Sequence, residues 1–262
     1  KEVYPDPVTG HTIHRFTSQG CNCSPYFNSH AWTPEGDAFF FLRADENGES
    51  VMAAEWPEGA LHRLAGPFPL DQRVNWSTLK AIPGRRAATF IRDDAIWTVE
   101  LDTAIVERVA ECPFPGAAAS DSDVSGDGEW HIFPQILMPE GGRAELRARS
   151  WPPDPVYEKY GIMSHLARAN LLTGKVEVFH QEEACIDHVS VNPQDPELLI
   201  YCHEGSRAYM CGRMFLLKLG EESARPLRDQ RSGCVGLSHE RWFPDGERVS
   251  YHGKYFRNSV LH

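Results

Sequence analysis

A turn rich in Pro, Asp and Gly returns at four places in this chain, and that recurrence constrains the fold more tightly than any composition figure. Thr33-Pro34-Glu35-Gly36-Asp37 leads into the apolar run Ala38-Phe39-Phe40-Phe41-Leu42. The turn comes back as Ser125-Gly126-Asp127-Gly128, Asn192-Pro193-Gln194-Asp195-Pro196 and Phe243-Pro244-Asp245-Gly246. A closing strand that ends in a Leu-x-Thr type of turn recurs with it. It reads Val99-Glu100-Leu101-Asp102-Thr103, then Ala169-Asn170-Leu171-Leu172-Thr173-Gly174, and more loosely Met214-Phe215-Leu216-Leu217-Lys218. Further strand-length runs lie at Ala88–Ile91, Ile96–Leu101, Leu198–Cys202 and Arg248–His252. Each is rich in β-branched or aromatic residues and bounded by turn formers.

A unit of about 40–50 residues with a hairpin inside it is the signature of propeller blades. The pattern therefore predicts an all-β chain, a β-propeller. A β-sandwich is the competing fold, but sandwiches rarely repeat one closing strand. The units fall at residues 27–65, 66–112, 118–180, 183–228 and 232 onward. A seven-bladed ring needs about 280–315 residues at about 40–45 per blade. The chain has 262, five to six blades' worth of sequence. The expectation is one propeller domain over 1–262, incomplete at its C-terminal end. The one helical stretch predicted runs from Pro155 to Leu166.

Composition excludes several partners. No run of 18 apolar residues exists, so no membrane-spanning helix is expected. The formal net charge of -11 argues against a nucleic-acid partner, which needs many cationic contacts to phosphate. The opening Lys1-Glu2-Val3-Tyr4-Pro5-Asp6 has neither an initiator Met nor a basic-then-apolar signal segment; the expectation is a removed leader or a trimmed sequence. Seven cysteines, at 21, 23, 112, 185, 202, 211 and 234, are odd in number and irregular in spacing. That suits buried free thiols in a reducing, cytoplasmic setting. Cys21-Asn22-Cys23 has no second pair at zinc-finger spacing.

Twelve histidines offer the chemistry. His188 opens a strand, His203 follows the strand Leu198–Cys202, and His239 stands before Trp242-Phe243 and the last turn. A single histidine in such a place is usually structural, whereas three at equivalent places in neighbouring blades suggest a site. Glu182-Glu183 is expected to be an exposed charge pair. Gly236-Leu237-Ser238-His239-Glu240 lacks the second Gly of a nucleophile elbow, and no Gly-rich phosphate loop runs from a strand into a helix.

Several segments are similar to those of the oligogalacturonate lyases. They are Asn192–Gly205 with its Cys202-His203-Glu204-Gly205, and Ser238-His239-Glu240-Arg241-Trp242 followed by Pro244-Asp245-Gly246. Asp6-Pro7-Val8-Thr9-Gly10, Tyr26-Phe27, Trp32–Gly36 and Ala167–Gly174 also match. The resemblance implies a seven-bladed propeller that splits short pectin-derived oligogalacturonides by metal-assisted β-elimination. It implies His203 as the base, with His188 the alternative, Arg168 as a partner of the substrate carboxylate, and His239 as a ligand of a divalent ion, Mn2+ in the family. A cation suits this chemistry because charge develops on the carboxylate as C5 loses its proton. Imidazole suits the base because its pKa lies near neutrality.

The chain departs from the family in two places. The remaining metal ligands of the family lie in a Gln-x-x-His-x-His segment that is absent here. Ser206, followed by Arg207, also stands where the family has Pro after Cys-His-Glu-Gly. Two other functions follow from the same fold: a noncatalytic TolB-like propeller that binds saccharide or protein, and a lyase for a different uronic-acid oligosaccharide. An acidic exterior is compatible with an acidic substrate if a local cationic pocket receives it, and it favours short oligomers over the polymer.

Overall fold

The structure is a computed structural model that describes residues 1–26, 29–148, 154–205, 212–229, 235–257 and 260–261. It divides into two compact units, Lys1–Val109 and Ala110–His262. No helix among the described residues is long and apolar enough to cross a membrane.

The first unit begins with a hairpin of β1 (Glu2–Pro5) and β2 (Thr12–Arg15). A four-stranded sheet follows: β3 (Cys21–Cys23), β4 (Ala38–Asp45), β5 (Gly48–Glu55) and β6 (Leu61–Phe68). The next holds β7 (Lys80–Ala81), β8 (Ala87–Arg92), β9 (Ala95–Glu100) and β10 (Val106–Glu111), the division between units falling inside β10. Each is an antiparallel meander, the form of a propeller blade. The apolar run in β4 is buried on both faces, as the period of two requires. Phe40 and Leu42 pack towards β8 and β9 with Ala88, Phe90 and Val99, while Phe41 packs on the other face with Met52 and Ala54.

The second unit contains three more sheets. The first comprises β11 (Ala118–Ala119), β12 (Asp123–Val124), β13 (Trp130–Leu137), β14 (Met163–Asn170) and β15 (Val176–Glu182). Then come β16 (Ile186–Val191), β17 (Leu198–His203), β18 (Met214–Lys218) and β19 (Arg225–Pro226). The last has β20 (Val235–Trp242), β21 (Val249–Arg257) and β22 (Val260–Leu261). The all-β propeller class expected from the repeat is thus realised, and the sheets fall close to the predicted units. The first blade begins earlier than expected, at β3, because three residues with Asn22 at the centre give no strand signal. Cys21 and Cys23 are exposed there, contrary to the expectation of buried thiols, while Cys112, Cys185 and Cys202 are buried.

Two short helices, α1 (Glu140–Ala148) and α2 (Asp154–Tyr160), interrupt the third sheet between β13 and β14. The expected helix over 155–166 therefore stops after Tyr160. Gly161 adopts φ +72 and donates its N–H to the Tyr157 carbonyl at 2.9 Å, a left-handed helix stop. The residues from Met163 onward pair with β13 instead.

The recurring turns join neighbouring sheets. Asp37 receives both oxygens' worth of hydrogen bonds from Arg86, at 2.7 and 2.6 Å. A Cβ on Gly126 would lie 2.2 Å from the Pro193 carbonyl oxygen, so only glycine permits that approach. Asn192 donates its side-chain N–H to the Gly246 carbonyl at 2.7 Å, and Gln194 donates to that of Pro244 at 3.1 Å.

Candidate functional site

Two β-bulges present the histidines of the site. The register between β16 and β17 shifts between Asp187 and Ser190, and His188 adopts φ 49 there. The register between β20 and β21 shifts between Ser238 and Arg241, and His239 adopts φ 59. A non-glycine residue in this region costs about 1–3 kcal/mol and persists only where surrounding structure enforces it. At the first bulge Asp187 does so, accepting hydrogen bonds from the Ser120 hydroxyl at 2.5 Å, the Asp121 N–H at 3.1 Å and the His188 N–H at 2.8 Å. At the second, the Trp242 indole N–H donates to the Ser190 carbonyl at 3.2 Å. His188 and His239 occupy equivalent positions in adjacent sheets, with their rings nearly parallel and 6.2 Å apart. His203 ends a second strand, β17, so the expected equivalence holds for two of the three.

Arg213, which the sequence reading passed over, is buried at the centre of this junction. It donates to Glu204 at 2.7 Å, to Glu240 at 3.5 Å and to His188 Nδ1 at 3.0 Å. Burial opposes its charge, but Cys202, Glu240 and Glu204 more than offset this and push its pKa up. Because a guanidinium only donates, His188 Nδ1 must present a lone pair to it. His188, Cys202 and Glu204 place ligand atoms within 4.8 Å of one another, a spacing able to hold a metal ion. The guanidinium already supplies a cation to two of the three, and burial pushes the Cys202 thiol well up, so it stays protonated. Glu240 Oε1 is buried with no hydrogen-bond partner among the described residues.

Glu182 organises a second cluster. Its Oε2 lies 2.5 Å from His203 Nε2, and its Oε1 lies 2.8 Å from His180 Nε2 and accepts the Tyr201 hydroxyl at 2.5 Å. Burial raises its pKa, but the hydrogen bonds from His180, His203 and Tyr201 outweigh that and hold the carboxyl well below its usual range. The expected exposed pair at 182–183 is therefore corrected: Glu182 is a partly buried, fully partnered carboxylate. A carboxylate only accepts, so His203 carries a proton on Nε2, and the neutral ring has its lone pair on Nδ1. The Phe215 ring lies 4.1 Å from the His203 ring and braces it. The two clusters are joined at the end of β17, where His203 and Glu204 are consecutive and the His203 N–H donates to the Arg213 carbonyl at 2.8 Å.

Other residues border or miss this region. His239 Nδ1 lies 3.1 Å from His252 Nδ1; its pKa is lowered by burial first, then by His252, His188 and Arg213. From α2, the Tyr157 hydroxyl donates to the Cys185 sulfur at 3.4 Å. Arg168 is not brought to the histidines. It donates to Glu177 at 2.7 Å and stacks over Trp130 at 4.1 Å, both within its own sheet. Ser206, Arg207, Cys211 and Cys234 lie outside the described residues.

Residues 155–260 match the family model described as oligogalacturonate lyase. Two curated proteins of that description are similar to the chain. An oligogalacturonide lyase from Pectobacterium atrosepticum is 26% identical over 113 residues, covering 41% of this chain and 29% of the relative. An oligogalacturonate lyase from Dickeya dadantii is 21% identical over 265 residues, covering 95% of this chain and 62% of its own length. The chain thus spans less than two thirds of either curated relative. Among solved structures, an oligogalacturonate lyase from Vibrio parahaemolyticus superposes with a TM-score of 0.81 at 18% identity, over 99% of this chain and 67% of that one. An oligogalacturonate lyase in complex with manganese gives 0.80 at 20% identity, over 99% of this chain and 66% of that one. TolB from Acinetobacter baumannii, at 0.51 and 12% identity, covers 98% of this chain and 57% of its own. At these identities the superpositions establish the shared fold.

Proposed function

We propose that this chain is the larger part of a lyase that cleaves short oligogalacturonides by β-elimination, with a divalent ion, manganese, as cofactor. The observation that carries this reading is the His203–Glu182 pair. It fixes an imidazole with its lone pair on Nδ1, behind which a permanent carboxylate stabilises the imidazolium that proton abstraction creates. His203 is the base in this reading, and it takes the C5 proton. The C5–H electron pair becomes the C4–C5 double bond, the C4–oxygen bond breaks, and the leaving sugar oxygen gains a proton. His188 does not serve as the base, because its Nδ1 lone pair is committed to Arg213. Arg168 keeps its carboxylate-partner role only if it leaves Glu177, so we assign it to the sheet instead.

The residues present suit a divalent ion. His239 is presented by a bulge, and an imidazole is a good donor for such an ion together with oxygen ligands. Glu240, its neighbour in sequence, adds negative potential; its buried Oε1 makes no hydrogen bond among the described residues and lies 3.8 Å from His188 Nδ1. The ion would supply stabilisation of charge on the uronate carboxylate.

Incubation with di- and trigalacturonate and Mn2+ tests the reading. The expected result is an ultraviolet-absorbing unsaturated uronate, lost in His203→Ala. Absence of product from the protein with Mn2+ present overturns it. Retained binding of the same saccharides without product favours a noncatalytic propeller, and product from another uronide reassigns the substrate.

A further inference from the structure

We propose that His252 is a second imidazole ligand of the divalent ion at His239, so that the β20–β21 hairpin carries a two-histidine ion site of its own. Three observations converge on it. His252 pairs with Ser238 across the two strands, which sets it opposite the bulge that turns His239 out of the regular ladder. His239 Nδ1 lies 3.1 Å from His252 Nδ1 and 3.4 Å from its Nε2, so either nitrogen of His252 is within reach. The Ser238 hydroxyl lies 3.3 Å from the same His239 nitrogen, which puts an oxygen donor beside the two rings.

The spacing fits ion binding. Two imidazole nitrogens bound at about 2.0–2.1 Å, at octahedral or tetrahedral angles, stand about 2.9–3.4 Å apart. The 3.1 Å separation lies inside that interval. A plain imidazole–imidazole hydrogen bond also spans this distance, and the bulge that holds His239 at φ 59 is what keeps its ring opposite His252. Strained backbone of this kind gathers at functional sites. Both rings are exposed, so water can complete the shell. The nearby His188, Cys202 and Glu204 group is a poorer host, because Arg213 already occupies it with positive charge.

This inference deepens the lyase reading, whose ion it places, yet its test does not use lyase activity. Mn2+ binding to the purified chain is followed by calorimetry and by loss of the free-ion electron paramagnetic signal, and Co2+ binding by its visible ligand-field bands. The protein is expected to bind one ion. His252→Ala is expected to weaken it at least about tenfold, a loss that even outer partners of metal ligands commonly cause, and to alter the Co2+ bands. His252→Asn, a polar replacement, is expected to weaken it as well, and His239→Ala to abolish binding. His62→Ala, at an exposed histidine paired with Glu55, is expected to leave binding unchanged. Thermal melts confirm that each variant folds. Unchanged affinity and bands in both folded His252 variants overturn the proposal, as does a protein that binds neither ion. Ion binding that depends on His252 without any uronide product leaves this inference standing and the lyase reading overturned. Mn2+-dependent cleavage that His252 variants retain, with unchanged ion affinity, does the reverse.

Discussion

Glu182 keeps its charge in a partly buried setting because two imidazoles and a phenol all aim at it. Its folded pKa lies below the ordinary 4.5, so it contributes stability above that value. The contribution is lost as pH falls through the depressed folded pKa. Acid titration of folding by circular dichroism should show wild type losing stability below about pH 4.5, and Glu182→Gln a flatter profile over that range. Under the lyase reading the same variant should also cut turnover about 10–100-fold, a loss of the size seen when the carboxylate partner of a metal-binding histidine is removed. His203 and His239 stood out in the sequence through their neighbours. Glu182 did not, since the residues it serves are 19 and 21 positions away on another strand. One signal was available: His180 and Glu182 on β15, and Tyr201 and His203 on β17, are each spaced by two, which puts each pair on one face of its strand. Arg213 offered no such signal. Its partners come from β16, the end of β17 and β20, and only the packing of sheets brings them together.

The bulge is the element that turns a strand histidine into a presented one. Left-handed backbone is tolerated best by Gly and Asn and worst by β-branched residues. His239→Val should therefore be less stable than His239→Asn by about 1–2 kcal/mol, measured by urea unfolding, although both lose the imidazole. Equal stability of the two would mean that the bulge relaxes when the ring is removed. Bulges were hidden in the sequence, because Asp187-His188-Val189-Ser190 reads as ordinary alternation. The helix over 155–166 was overextended for a related reason. Apolar spacing continued past Tyr160, and a single glycine with a left-handed backbone outweighed it.

Across the molecule, what the repeat made legible was the blade grammar, and its turns proved to be more than hairpin formers. Three of the four reach the following sheet: Asp37 to Arg86, Gly126 to Pro193, Asn192 to Gly246. Gly126→Ala would drive a methyl group to within 2.2 Å of the Pro193 carbonyl. The expected cost is about 1–3 kcal/mol, seen as a lowered urea midpoint, while alanine at Gly84, where nothing lies within 4 Å of the added Cβ, should be relieved of that clash and cost only its backbone strain.

Those turns also bear on how such a chain could be inherited piecemeal. A blade carries one half of a joint in its own turn and the other half of a different joint in the residues that meet its predecessor. Exchange of one blade between relatives would break two joints at once, at Gly126–Pro193 and at Asn192–Gly246 if the blade of β16 to β19 were the one exchanged. Runs of adjacent blades that travel together would keep their inner joints intact. Recombination should therefore favour breakpoints that move several blades as a block, and the histidines of β16, β17 and β20 would be passed on together.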